Sequence, residues 1–157
     1  MEIRKPSVDD AEAMWDIVRR TDSLDTNSRY HYLLLCHDFS DTSVVACDHG
    51  ELIGFITGYR RPDSQADLFA WQTAVDPAVN APGLATLMLT TLVDRMVPLG
   101  VRHLETTISP HNRAVRMMLR RFAAERDVEI ETSVLFDEDA FPDGHDAEIL
   151  YRVGPLR

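Results

Sequence analysis

A chain of 157 residues, 45% of them hydrophobic and 27% charged, is long enough to bury a core without cross-links or metals. Its formal net charge of −10 speaks against a nucleic-acid binder, which needs a basic face for phosphates. No apolar run approaches the ~20 residues of a bilayer span, and Met1 to Pro6 lacks an apolar signal segment, so a cytoplasmic protein is expected.

In chain order, a short first strand precedes Ser7 and Asp10, which read as a capping-box start. Ala11, Met14, Trp15 and Val18 then share one helical face. A second helix is predicted from Asn27 or Ser28, with Tyr30, Leu33, Leu34 and His37 on one face. Ser43–Cys47 and Leu52–Tyr59 read as strands of a hairpin around Asp48-His49-Gly50-Glu51. Arg60 to Gln65 reads as a polar loop.

Leu68–Val75 is predicted as a strand with Phe69, Trp71, Thr73 and Val75 on one face and Leu68, Ala70, Gln72 and Ala74 on the other. Turn residues from Asp76 to Pro82 lead into a helix through Leu84, Leu87, Met88, Leu92, Met96 and Leu99, ended by Gly100. A strand over Val101–Ile108 and a helix over His111–Glu125 follow, the latter with Ala114, Met117, Met118 and Phe122 inward. Strands over Val128–Phe136 and Ala147–Val153 close the chain. This order predicts a mixed α/β (α+β) sheet flanked by helices, parallel in its strand–helix–strand centre, in a single domain over 1–157.

Cys36 and Cys47 read as buried small hydrophobes, and the six histidines lack zinc-site spacing, so neither a disulfide nor a metal is expected.

Chemistry concentrates first on Val75–Ala85. Gly83 opens a helix whose first N–H groups lack intrahelical partners, which suits a pyrophosphate; composition alone favours an ordinary strand-to-helix turn. The stretch Asn80-Ala81-Pro82-Gly83-Leu84-Ala85 resembles the pyrophosphate loop of the GNAT acyl-CoA N-acyltransferases, Gln/Arg-x-x-Gly-x-Gly/Ala, with Asn80 in place of Gln or Arg and no basic residue in the loop. One strand later, Asn112-Arg113-Ala114 through Leu119 and Phe122 resembles that family's Asn-x-x-Ala…Leu-x-x-x-Phe helix. The resemblance spans nearly the whole chain. It implies a GNAT fold, acetyl-CoA as co-substrate without a metal, and cofactor contacts from Val75, Asn80, Gly83, Leu84, Ala85 and Asn112, the last also a plain N-cap by residue type.

Three longer stretches, Asp25–Cys36, Trp71-Gln72-Thr73 and Pro142–Tyr151, resemble the L-2,4-diaminobutyrate acetyltransferases of ectoine synthesis, an osmolyte pathway. That resemblance implies γ-amino acetylation and a homodimer. A diammonium substrate needs acidic partners, for which Asp25 and Glu148 are candidates, with Asn27, Tyr30 and Thr73 as hydrogen-bonding groups and Trp71 as a cation–π wall. Glu148 and His145 are candidate proton acceptors, the Val75 N–H a candidate oxyanion donor, and Tyr30 or Tyr151 a candidate acid for the thiolate. Singly, each has a structural alternative: Asp25 a helix cap, Trp71 and Tyr30 packing, Glu148 a surface carboxylate, His145 turn shaping. Acetylation of another diamino acid or polyamine, and a degenerate acyl-CoA-binding regulatory domain, are the competing functions.

Overall fold

The computed structural model describes residues 1–22 and 24–157. Seven strands form one sheet: β1 (Glu2–Arg4), β2 (Val44–Asp48), β3 (Glu51–Arg61), β4 (Ser64–Val75), β5 (His103–Ile108), β6 (Glu129–Phe136) and β7 (Glu148–Gly154), in spatial order β1-β2-β3-β4-β5-β7-β6. Among the described residues four α-helices flank it, α1 (Ala11–Arg19), α2 (Arg29–Asp38), α3 (Leu84–Met96) and α4 (Arg113–Arg126). Among the described residues only β4 and β5 pair in parallel, across the α3 connection; the other neighbours are antiparallel. The predicted mixed sheet therefore stands. No helix among the described residues is long and apolar enough to cross a membrane.

Turn chemistry sets the hairpins. His49 and Gly50 both take positive φ, 50° and 80°, as a two-residue turn matching strand twist requires. The expected loop over Arg60–Gln65 is instead mostly strand: β3 runs to Arg61 and β4 starts at Ser64, because Pro62 and Asp63 suffice for the reversal.

Two apolar clusters cover the two faces of the sheet. One packs Met88, Leu92 and Met96 of α3 and Leu119 and Phe122 of α4 on Leu68, Ala70 and Leu104. The other packs Met14, Ile17 and Val18 of α1 and Tyr32 and Cys36 of α2 on Val45, Phe55 and Ala74.

Ala70 and Ala74 thus lie on opposite faces, which strict alternation along β4 forbids. The register explains it: Thr57 pairs with Gln72 and Gly58 with Ala70, so Trp71 is an extra, bulged residue. The bulge exchanges the faces beyond it. Gln72 and Ala74 turn toward α1 and α2, and Val75 packs on the α3–α4 side, correcting the faces read from the alternating pattern.

Two helices also differ in facing. On α2 the inward residues are Tyr32, Leu35 and Cys36, while Tyr30, Leu33 and Leu34 are exposed: the period was legible but its direction was not. On α4, Leu119, Phe122 and Ala123 face the core, leaving Ala114 and Met117 outside it.

Candidate active site

The β4–β5 ladder holds only from Asp67–His103 to Phe69–Glu105. Just beyond it, the Thr106 hydroxyl donates to the Ala70 carbonyl at 2.8 Å, and the strands then part. The bulge at Trp71 and this parting open a cavity of about 520 Å³. Asp25 and Asn27 reach it from the loop before α2, Trp71, Gln72 and Thr73 from β4, Thr106 to Ser109 from the end of β5, and His145, Asp146 and Glu148 from the approach to β7.

Asp25, Asn27, Trp71, Thr73, His145 and Glu148, separated along the chain, are thereby brought together. Tyr30 is not: it is 67% exposed on the outer side of α2 and absent from the cavity lining. It stands two residues before the inward Tyr32, a turn of roughly 200° around a helix of 3.6 residues per turn. Tyr151 packs beside the α3–α4 core and does not line the cavity. Sequence reading passed over Gln72, Thr106, Thr107, Ser109 and Asp146; the hydroxyl-rich run at the end of β5 was the available signal for three of them.

Apart from His145, the ionisable residues of the walls are acidic: Asp25, Asp146 and Glu148 line one space. The His145 ring stacks on Phe141 at 4.3 Å, and its Nδ1 lies 2.6 Å from the Asp146 backbone carbonyl. A carbonyl only accepts, so Nδ1 carries hydrogen and Nε2 is the titrating nitrogen, 3.7 Å from Glu148 Oε1. The Asp146 carbonyl holds the imidazole above its ordinary range; burial opposes it, and the Glu148, Asp25 and Asp143 carboxylates each add a weaker rise. The imidazole and carboxylate together can accept and hold a proton.

From this cavity a narrower, mostly apolar passage of about 210 Å³ continues along Thr73, Val75, Ala85, Asn112, Val115 and Met118. It shares Val75, Ala85, Ala114 and Met118 with an outer groove of about 730 Å³ beside the loop Val79–Thr86. Cavity, passage and groove are continuous.

Along this route, Gly54 and Val75 are opposed on the β3–β4 ladder, while the Asp76 N–H donates to Ile53 O at 2.8 Å. Alternation in an antiparallel ladder then turns the Val75 N–H away from β3, toward the gap left by β5. At the mouth of the groove Gly83 adopts φ 82°, a left-handed conformation that favours glycine. The Leu84 N–H is taken by Ala81 O at 3.1 Å, while those of Gly83, Ala85 and Thr86 have no partner among the described residues. Such a terminus suits an anion. Leu84 itself is buried in the core and anchors the turn. Asn80 lines the groove, and Asn112 lies between cavity and passage while its Oδ1 caps α4 by accepting from the Val115 N–H at 3.2 Å. These features fit a long thioester cofactor with a phosphorylated end.

Burial pushes the Cys36 thiol up to about 12, with the Asp10 charge adding to it, and Cys47 is also buried and free. Among the described residues no group of three or more His, Cys, Asp or Glu is placed to hold a metal ion.

A sheet parted between its parallel central strands, with an N–H-rich helix start at the gap, defines an acyl-CoA N-acyltransferase fold, and the model of the acetyltransferase (GNAT) family matches residues 10–123; the chain belongs to that family. Within it, the chain is 48% identical to an L-2,4-diaminobutyric acid acetyltransferase of Streptomyces coelicolor over 99% of this chain and 94% of that one. It is 40% identical to the protein of the same name from Halalkalibacterium halodurans, over 98% and 82%. The diaminobutyrate acetyltransferase EctA of Paenibacillus lautus, solved with its substrate L-2,4-diaminobutyric acid and coenzyme A, superposes with a TM-score of 0.92 at 38% identity, covering 98% of this chain and 94% of that one.

Proposed function

We propose that this chain transfers the acetyl group of acetyl-CoA to the γ-amino group of L-2,4-diaminobutyrate, giving the N4-acetyl product and CoA. The carrying observation is the convergence of Asp25, Asp146, Glu148 and His145 on one cavity that a continuous groove joins to the Gly83 helix start. Three carboxylates suit a substrate with two ammonium groups, and the hydroxyls of Thr73, Thr106, Thr107 and Ser109 suit its carboxylate. The relatives' shared name supplies the same substrate.

In this reading Asp25 and Glu148 grip the ammonium groups, with Asn27 and Trp71 completing the walls. An alkylamine titrates near ~10.4, so it must lose a proton before attack; the His145–Glu148 pair receives it. The neutral nitrogen attacks the thioester carbonyl directly, forming the C–N bond. The Val75 N–H meets the oxyanion as the tetrahedral centre forms, and the C–S bond breaks as that centre collapses, the second nitrogen proton passing to the departing thiolate to leave the amide and CoA. The thioester arm lies along Asn112, and the phosphates meet Asn80 and the N–H groups of Gly83 and Ala85; Leu84, expected as a contact, has its N–H taken by Ala81 O and only anchors the turn. Tyr30 has no role here because it lies outside the lining. The high thiol value at Cys36 accords with transfer without an acetyl-enzyme.

The reading extends to residues 1–157 as one catalytic domain, a cytoplasmic homodimer, and a step of ectoine synthesis in osmoadaptation. Thiol release from acetyl-CoA with diaminobutyrate, ornithine, lysine and spermidine tests the activity, with product NMR for position. Diaminobutyrate is expected to be the best substrate. An α-acetylated product would overturn the regiochemistry, and cofactor binding without any turnover would favour a regulatory domain.

A further inference from the structure

The loop Asp76–Thr86 carries no basic residue, and Asn80 stands where an Arg or Gln would be usual. Its free N–H groups are neutral donors. A phosphorylated cofactor entering a chain of net charge −10 would meet a repulsive field unless cations stand nearby.

Most arginines of this chain are already occupied. Arg4 is held by Asp10, Arg20 by Asp76, Arg61 and Arg152 by Glu105, and Arg126 by Asp94. Among the described residues Arg120 and Arg121 make neither a side-chain hydrogen bond nor an ion pair, and both are exposed. Both nevertheless line the outer groove, opposite Asn80 and Gly83.

The face of α4 orders the chemistry along the groove. Ala114, Met117, Met118 and Arg121 follow one helical stripe, i, i+3, i+4 and i+7. Asn112, next to the cavity, starts this line, and Arg121 ends it roughly 13 Å further along the axis at ~1.5 Å per residue. The apolar middle suits an extended pantetheine arm, and the cationic end falls where its phosphates would emerge. Guanidinium forks match phosphate oxygens bidentately.

We infer that Arg120 and Arg121, projected from α4 across the groove from Gly83, bind the phosphate groups of the coenzyme A moiety and supply the positive charge that the loop lacks. The inference rests on the reading of this groove as the acetyl-CoA site.

The test compares the wild type with Arg120→Gln, Arg121→Gln and the double variant, using acetyl-CoA and acetyl-3′-dephospho-CoA. The double variant is expected to raise the KM for acetyl-CoA about 10- to 30-fold, as loss of charge-assisted contacts does. Its kcat and its KM for diaminobutyrate should stay within about twofold, and Arg→Lys should recover part of the loss. The salt dependence of the acetyl-CoA KM should flatten in the double variant. If the preference for the 3′-phosphorylated cofactor collapses, the contact is that phosphate; if both KM values rise together, it is the pyrophosphate. A double variant with the wild-type acetyl-CoA KM and salt dependence overturns the inference. Asn80→Trp, which fills the groove from the opposite wall, separates the two levels: cofactor binding lost there but untouched in the arginine variants leaves the groove reading standing. Binding untouched in both would sink the groove reading as well.

Discussion

The Tyr32 hydroxyl donates to Gln72 Oε1 at 2.8 Å, deep under α2. The same amide donates through Nε2 to the Asp25 backbone carbonyl at 3.1 Å. Gln72, only 8% exposed, thus ties the loop bearing Asp25 to the bulged strand bearing Trp71 and Thr73. Burial holds the Tyr32 phenol above its ordinary range, so it remains a donor near neutrality.

Gln72→Leu removes both contacts and leaves a buried hydroxyl unpaired. A stability loss of about 1–3 kcal/mol is expected in urea unfolding. The diaminobutyrate KM should rise several-fold more than the acetyl-CoA KM, because the freed loop is on the substrate side. Equal changes in both constants would mean that Gln72 acts only through stability.

Asp25→Ala and Glu148→Ala are expected to lower kcat/KM for diaminobutyrate by at least about 100-fold, the lower end for a positioned acid–base or ion-pairing group. Acetyl-CoA binding, followed by calorimetry, should be retained, since neither residue lines the outer groove. Wild-type kinetics in both variants would remove these carboxylates from the site.

His145 must be neutral at Nε2 to take a proton. Its value is raised by the Asp146 carbonyl and the neighbouring carboxylates, so the charged form persists to higher pH than for an ordinary histidine. Activity should therefore fall as pH drops through a value above ~6.5. Glu148→Gln removes one source of the raised value and should move this acid limb of the kcat/KM profile to lower pH. An unmoved limb would assign it to another group.

Asp10 offers a stability test away from the site. Burial alone would raise its carboxyl, but Arg4, at 2.8 and 3.0 Å, and the Ser7 N–H, at 2.7 Å, hold it below the ordinary range. A depressed folded-state value contributes stability above the unfolded-state value, ~3.9, and loses it as pH falls through the folded one. Asp10→Asn should cost about 3 kcal/mol near neutrality, as breaking a partly buried pair does, and the difference from the wild type should shrink in acid. A constant difference across that range would show packing, not charge, to be responsible.

Much of this molecule was legible in one dimension. Helical spacing found α1 to α4, residue type gave Asn112 as a cap and turn chemistry gave the His49-Gly50 hairpin, because these depend on neighbours a few residues apart; the cap of α2 is Ser28, where Asp25 was the residue offered as a cap. Family resemblance together with residue chemistry nominated Asp25, Asn27, Trp71, Thr73, His145 and Glu148, which share one cavity, and Tyr30, which lies outside it. The Trp71 bulge was not legible, since an extra residue shows only against a partner strand. Nor was the outward face of α2: Tyr30, Leu33 and Leu34 are as apolar as the buried Tyr32, Leu35 and Cys36, and only the sheet beneath decides which stripe is covered.

By itself, then, the sequence determined the kinds of element, their order and the chemistry available, all of which follow from local backbone preference and side-chain type. Tertiary structure alone decided which groups meet. The parting of β4 from β5, the Tyr32–Gln72–Asp25 tie and the placing of Arg120 and Arg121 on one groove with Gly83 all involve residues distant in the chain. Such contacts are set by how apolar faces close over the sheet, and no local pattern encodes that closure.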